Sequence, residues 1–160
     1  MSKKNKGKRI ETEEEIKTYI ARLKYAINSG SAKMNFQRKR EVDKKRNKKY
    51  TNRYTMNQLF PDKDEVDVLK KELMELTVEE YIVTVKDIRF PKRSEMRVFG
   101  KEYSGEDVYI KIRVELVDTV YANGNSSILV MSFHFSDREF KDSDFSYRKK
   151  GGKNNENNKK

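Results

Sequence analysis

One histidine, His134, stands in a chain that has no cysteine and no tryptophan. It ends the run Ile128-Leu-Val-Met-Ser-Phe-His134, and two strand-like segments ahead of it carry Arg97, Lys101, Tyr109, Lys111 and Arg113. Imidazole has the ordinary pKa nearest neutrality, phenol is a weak acid, and guanidinium and ammonium groups hold phosphate. Metal-free RNA cleavage needs those parts: a base for the 2′-hydroxyl, an acid for the leaving oxygen, and cations around the charged transition state. The same groups also bind phosphate and stack bases without cleaving anything. The absence of cysteine removes disulfide frameworks, thiolate nucleophiles and thiolate zinc sites. A single histidine builds no multi-histidine site, so no metal or other cofactor is expected.

Strand alternation and turn chemistry would bring these side chains together. Met96, Val98 and Gly100 alternate with Arg97, Phe99 and Lys101, while Val108, Ile110, Ile112, Val114 and Leu116 alternate with Tyr109, Lys111, Arg113 and Glu115. Residues 128–135 are apolar on both faces except at Ser132 and His134. Period-two patterning rich in β-branched residues predicts three consecutive antiparallel strands. A three-residue loop Ser104-Gly105-Glu106 would set Lys101 opposite Tyr109 and Arg97 opposite Arg113. A tight Asn123-Gly124 turn would set Val114 opposite Phe133, Leu116 opposite Met131, Arg113 opposite His134 and Glu115 opposite Ser132. Arg97, Lys101, Tyr109, Lys111, Arg113 and His134 would then share one polar sheet face. The commoner reading of such a face is simply the wet side of an antiparallel sheet.

The elements that must support this sheet come earlier in the chain. Thr12 with Glu15 is a capping box opening a helix over residues 12–29, with Ile16, Tyr19, Ile20, Leu23 and Ile27 on one face and Gly30 as its stop. Residues 33–36 read as a short strand. A second helix is expected over residues 62–76, capped by Asp62 and striped by Val66, Leu69, Leu73 and Leu76. Thr77 and Glu80 offer a further capping box, after which Tyr81, Val83 and Val85 alternate as a strand would. The fold class is α+β: a small twisted antiparallel sheet of three C-terminal strands, plus the possible N-terminal strand at 33–36, covered by two or three helices.

Charge is unevenly placed along the 160 residues, whose formal net charge is +11. Lys3, Lys4, Lys6, Lys8 and Arg9 crowd one end, and Arg148, Lys149, Lys150, Lys153, Lys159 and Lys160 face only Glu156 at the other. Residues 1–9 and 148–160 are expected to be disordered basic tails around a single domain over 10–147. Within that domain, residues 37–53 hold Arg38, Lys39, Arg40, Lys44, Lys45, Arg46, Lys48, Lys49 and Arg53 against Glu41 and Asp43. This stretch lacks periodicity and reads as a long, partly disordered nucleic-acid-binding arm, anchored by Tyr50, Tyr54, Met56, Leu59 and Phe60. The remainder of the chain is net acidic. No apolar run approaches the ~20 residues of a membrane span, so a cytoplasmic protein without membrane contact is expected.

Three blocks in order, Met96-Arg-Val-Phe-Gly-Lys101, Asp107-Val-Tyr-Ile-Lys-Ile112 and Val130-Met-Ser-Phe-His134, resemble the C-terminal pattern of MqsR-type toxins of bacterial toxin–antitoxin systems. Leu76-Thr-Val-Glu-Glu-Tyr81 resembles the acidic-aromatic step before that pattern, so the likeness spans residues 76–134. The resemblance implies a RelE-like fold and a ribosome-independent mRNA endonuclease held inactive by an antitoxin protein. Tyr109 and Lys111 match the family's Tyr-x-Lys strand, Lys101 its Phe-Gly-Lys block and His134 its Ser-Phe-His ending. Ile82 stands where better-known members carry lysine, and a glutamine near the first strand has no counterpart here.

The expected roles are therefore His134 as base, Tyr109 as acid or substrate positioner, and Lys101, Lys111, Arg113 and Arg97 as holders of phosphate. Two other readings use the same residues. One is a non-catalytic RNA- or DNA-binding protein of phage or mobile-element origin. The other is a protein-interaction module docking through its N-terminal helix.

Overall fold

A computed structural model describes residues 7–30, 32–117 and 125–148. Its sheet has six strands, namely β1 Lys8–Arg9, β2 Lys33–Phe36, β3 Tyr81–Val85, β4 Met96–Tyr103, β5 Glu106–Glu115 and β6 Ser127–Phe135, in the spatial order β1-β3-β4-β5-β6-β2. Three α-helices accompany it: α1 Glu13–Asn28, α2 Asn52–Leu59 and α3 Glu65–Met74. The α+β class holds, with two corrections to the sheet. Lys8 and Arg9, expected in a loose tail, pair antiparallel with Val85 and Thr84 of β3. The strand at 33–36 is real, but it runs parallel to β6, with Met34 beside Ile128 and Phe36 beside Val130.

Most local signals act as read. The Thr12–Glu15 capping box closes reciprocally at 3.1 and 2.8 Å and starts α1. Its apolar stripe, Ile16, Ile20, Leu23 and Ala26, packs with Leu69 and Leu73 of α3 on one sheet face. There it meets Phe99, Ile110, Ile112, Val130 and Phe133, all at most 1% exposed. Each such side chain contributes about 1.5–3 kcal/mol by leaving water. The Thr77–Glu80 box is present on a 3-10 turn, Val78–Glu80, that leads into β3. Helix α3 starts later than expected: Asp64, not Asp62, caps it, because Asp62 turns the chain at φ 61°. Among the described residues no helix is long and apolar enough to cross a membrane.

The register of β4 against β5 differs from expectation by one residue. The connection is two residues, Ser104 and Gly105, both at positive φ (53° and 82°), and Tyr103 pairs with Glu106. Consecutive positive φ values make the hairpin turn whose twist suits the strands, and its shorter length shifts every pair. A one-residue slip exchanges the faces of a strand. Phe99 therefore lies opposite Ile110 in the core, carrying Arg97 and Lys101 to the helix side, while Met96, Val98 and Gly100 join Arg113, Lys111 and Tyr109 on the open side. Gly100 is required there: a β-carbon would come within 2.6 Å of the Phe140 ring, which lies across it with Phe145.

The basic arm is also more ordered than its sequence suggests. It folds as two 3-10 turns, Glu41–Lys45 and Lys48–Tyr50, and then enters α2. Where β2 ends, α2 takes over the edge of β6. Asn52 donates to the carbonyls of Gln37 (2.7 Å) and Met131 (2.9 Å) and accepts from the Phe133 N–H (2.8 Å); Thr55 accepts from the Phe135 N–H (2.8 Å). Side chains of a helix thus supply the partners that an unpaired strand edge requires.

Candidate active site

Strand pairing places Tyr109 directly opposite His134 and Lys111 opposite Ser132. This differs from the expected pairing of Arg113 with His134, which rested on Asn123-Gly124; that turn lies outside the described residues. Val114 likewise pairs with Ile128 rather than Phe133, Leu129 rather than His134 stands opposite Arg113, and Glu115 meets Ser127 rather than Ser132. Beyond Lys111 the register shifts at a bulge, where Met131 and Ser132 both answer Lys111. Bulges re-aim side chains beside functional sites, and this one keeps Ser132 and His134 on the Tyr109 face while Val130 and Ile128 return to the core.

The three expected catalytic residues line one cleft of about 620 Å³, roofed by the basic arm through Arg40, Lys45 and Arg46. The His134 and Tyr109 rings stack with centroids 5.4 Å apart at 21°. His134 Nδ1 lies 2.9 Å from the Phe135 carbonyl. A carbonyl only accepts, so the hydrogen belongs on Nδ1 and the Nε2 lone pair is left as the basic site. Arg40 donates to Ser132 Oγ at 3.2 Å, and its own N–H is held by Asp43 at 2.9 Å. Arg46 reaches the Tyr50 carbonyl at 3.3 Å.

Four cations, Arg40, Lys45, Arg46 and Lys111, face one lining carboxylate, Asp137. The electrostatics follow. Burial, reinforced by Arg46 and Arg40, lowers the His134 pKa despite the hydrogen bond to Phe135, so the imidazole is neutral at pH 7. Burial and then Arg40 lower that of Lys111. Burial raises that of Tyr109 against the pull of Arg40 and Arg46, keeping the phenol protonated. A neutral base, a protonated phenol and excess positive charge in one recess suit a phosphodiester.

Other expected site residues are elsewhere. Arg97 lies on the helix face, where Glu11 accepts from it at 2.7 and 3.0 Å and its guanidinium sits 4.4 Å from the Tyr19 ring centroid. Lys101 is on that face too, 3.8 Å from Glu80. Arg113 shares the open face but is buried against Asp87, away from the cleft. Within the arm, Arg38 pairs with Glu65 (2.9 Å), Lys44 with Glu41 (3.4 Å) and Lys49 with Glu106 (3.3 Å). Lys39, Lys48 and Arg53 are exposed and outside the cleft.

Sequence reasoning did not single out Asn47, Ser136 or Asp137, which also line the cleft. Only Asp137 had a usable signal, a carboxylate three residues after the histidine. Comparison with protein-family models, curated proteins and solved structures gives no match for this chain.

Proposed function

We propose that this protein is a toxin-like, metal-independent mRNA endoribonuclease acting in the cytoplasm, with a RelE-like fold and an antitoxin as its protein partner. One observation carries the reading: Tyr109, Lys111 and His134 meet in a single cleft with Arg40, Lys45 and Arg46. Nε2 of His134 takes the proton of a ribose 2′-hydroxyl, and the 2′-oxygen attacks the adjacent phosphorus. The P–O5′ bond breaks, leaving a 2′,3′-cyclic phosphate and a 5′-hydroxyl whose proton comes from Tyr109. Lys111, Arg40 and Arg46 bear the added negative charge of the transition state. The resemblance of residues 76–134 to MqsR-type toxins points the same way, with Arg40 and Arg46 serving where Lys101 and Arg97 were expected.

A second reading, RNA binding without cleavage, is favoured by the stacked Tyr109–His134 pair, which forms a ready aromatic platform. Incubating wild type and His134→Ala with a defined mRNA in EDTA separates the two. Cleavage by wild type, reduced by about 10²–10⁴ in the variant while affinity persists, is the expected result. Salt-sensitive binding with no cleavage by either protein would leave the second reading.

A further inference from the structure

The loop between β3 and β4 takes no part in the chemistry above, yet it presents two large apolar side chains to solvent. Ile88 is 84% exposed and Phe90 53%. The loop is not loosely hung. Asp87 holds Arg113 beneath it, both side chains 6% exposed, and accepts from the Arg89 N–H at 3.1 Å. Arg93 grips both carboxylate oxygens of Glu115. Inside the loop, the Phe90 N–H reaches the Asp87 carbonyl at 3.1 Å and the Arg93 N–H reaches the Phe90 carbonyl at 3.0 Å. Both pillars, Arg113 and Glu115, stand on the open face of β5. Withdrawing ion pairs from water is costly, and here it fixes an apolar tip that adds nothing to the core.

This tip is continuous with the cleft. Arg40, Tyr109 and Lys111 also wall a second hollow of about 420 Å³ that runs to Lys86, Ile88 and Arg89. A third hollow, about 430 Å³, shares Arg89 with it and reaches Phe90 and Arg93. The track crosses from β6 to β3, about 14 Å at the usual strand spacing. The side chains of Lys86 and Arg89 are exposed and line this second hollow, so positive charge continues along it. The Arg89 guanidinium lies 5.8 Å from the Phe90 ring centroid.

We infer that Phe90, flanked by Arg89, is a stacking subsite for a nucleobase one nucleotide beyond the phosphate held in the His134 cleft. The inference rests on the RNA reading of that cleft. Its ligand is a base in a single-stranded segment, since a paired base has its faces covered by neighbours while an unstacked one offers a face to an aromatic ring. Arg89 holds the phosphate between subsite and cleft.

The chain has no tryptophan, so Phe90→Trp installs a single reporter at the tip. The probe is a fluorescein-labelled single-stranded oligonucleotide with 2′-O-methyl riboses, which cannot be cleaved through the 2′-oxygen. Tryptophan emission should be quenched with the same midpoint as the rise in fluorescein anisotropy. Phe90→Ala should weaken binding about tenfold without changing the salt slope, because stacking releases no counterions, whereas Arg89→Ala should reduce that slope by about one. If the oligonucleotide binds while the tryptophan stays silent, or if Phe90→Ala binds as wild type, the subsite is overturned and the cleft reading survives. If wild type shows no salt-sensitive binding at all, both fall.

Discussion

The helix face of the sheet and the cleft on its open face both carry partly buried cations, and they treat them in opposite ways. On the helix face, Arg97 is matched by Glu11, which Thr84 also contacts, while the Tyr81 hydroxyl accepts from the Glu11 N–H at 3.1 Å and Tyr147 donates to the Glu11 carbonyl. Burial pushes the Glu11 carboxyl up, but hydrogen bonds from Arg97 and Thr84 outweigh it and hold the pKa below the usual value. Here the charge is cancelled on site. In the cleft, burial and then Arg40 disfavour the charge of Lys111, burial and then Arg46 disfavour that of Arg40, and Ser132 is the hydrogen-bond partner of the Arg40 side chain. A buried cation with its carboxylate belongs to the fold; cations gathered without one hold a place for an anion.

The sharpest way to break this comparison is Glu11→Ala. It leaves the half-buried Arg97 without its carboxylate and should cost about 3 kcal/mol in urea unfolding. A cost below about 1 kcal/mol would show that the helix-face network is no lock. Lys111→Met should do the reverse. It keeps the aliphatic stem and removes a charge that burial and Arg40 disfavour, so stability should rise by about 1 kcal/mol while RNA affinity drops about tenfold. A lower melting temperature would make Lys111 a structural lysine and erase the contrast.

The smallest effect is on pH dependence. The native His134 pKa lies below its ordinary value of about 6.5, so between the two values the unfolded chain binds more protons than the native one. Stability from this source is complete above pH ~6.5 and falls as pH drops toward the native pKa. His134→Gln should flatten that limb of a melting-temperature series. Cleavage should lose rate over an acid limb centred below 6.5, as its base becomes protonated; a limb centred above 6.5 would mean that another group is the base.

What was legible in the sequence depended on how many residues a signal engaged. Helix α1 announced itself through a capping box and a five-residue stripe, and β5 through strict alternation over the nine residues 108–116. Tyr109, Lys111 and His134 survived as a set because parity alone puts 109 and 111 on one face, and because the β5–β6 register stayed odd in sum where they meet. Arg97 and Lys101 were lost to a single question, whether Glu106 belonged to the turn or to the strand. Helix α2 was illegible for another reason. Asn52 and Thr55 are 1% and 0% exposed, and their burial serves hydrogen bonds to β6, a role that apolar periodicity cannot register. The roofing of the cleft by Arg40 and Arg46 follows from that same docking.

The Asn52 clasp has a consequence in time. It joins β6 to a residue 81 positions earlier, and the cleft spans a similar separation between Arg40 and His134. Long loops must close before such contacts repay their entropy, so folding of this region should be slow compared with α1. During synthesis the basic arm leaves the ribosome well before its partner strand, and the site exists only once His134 and Asp137 have emerged.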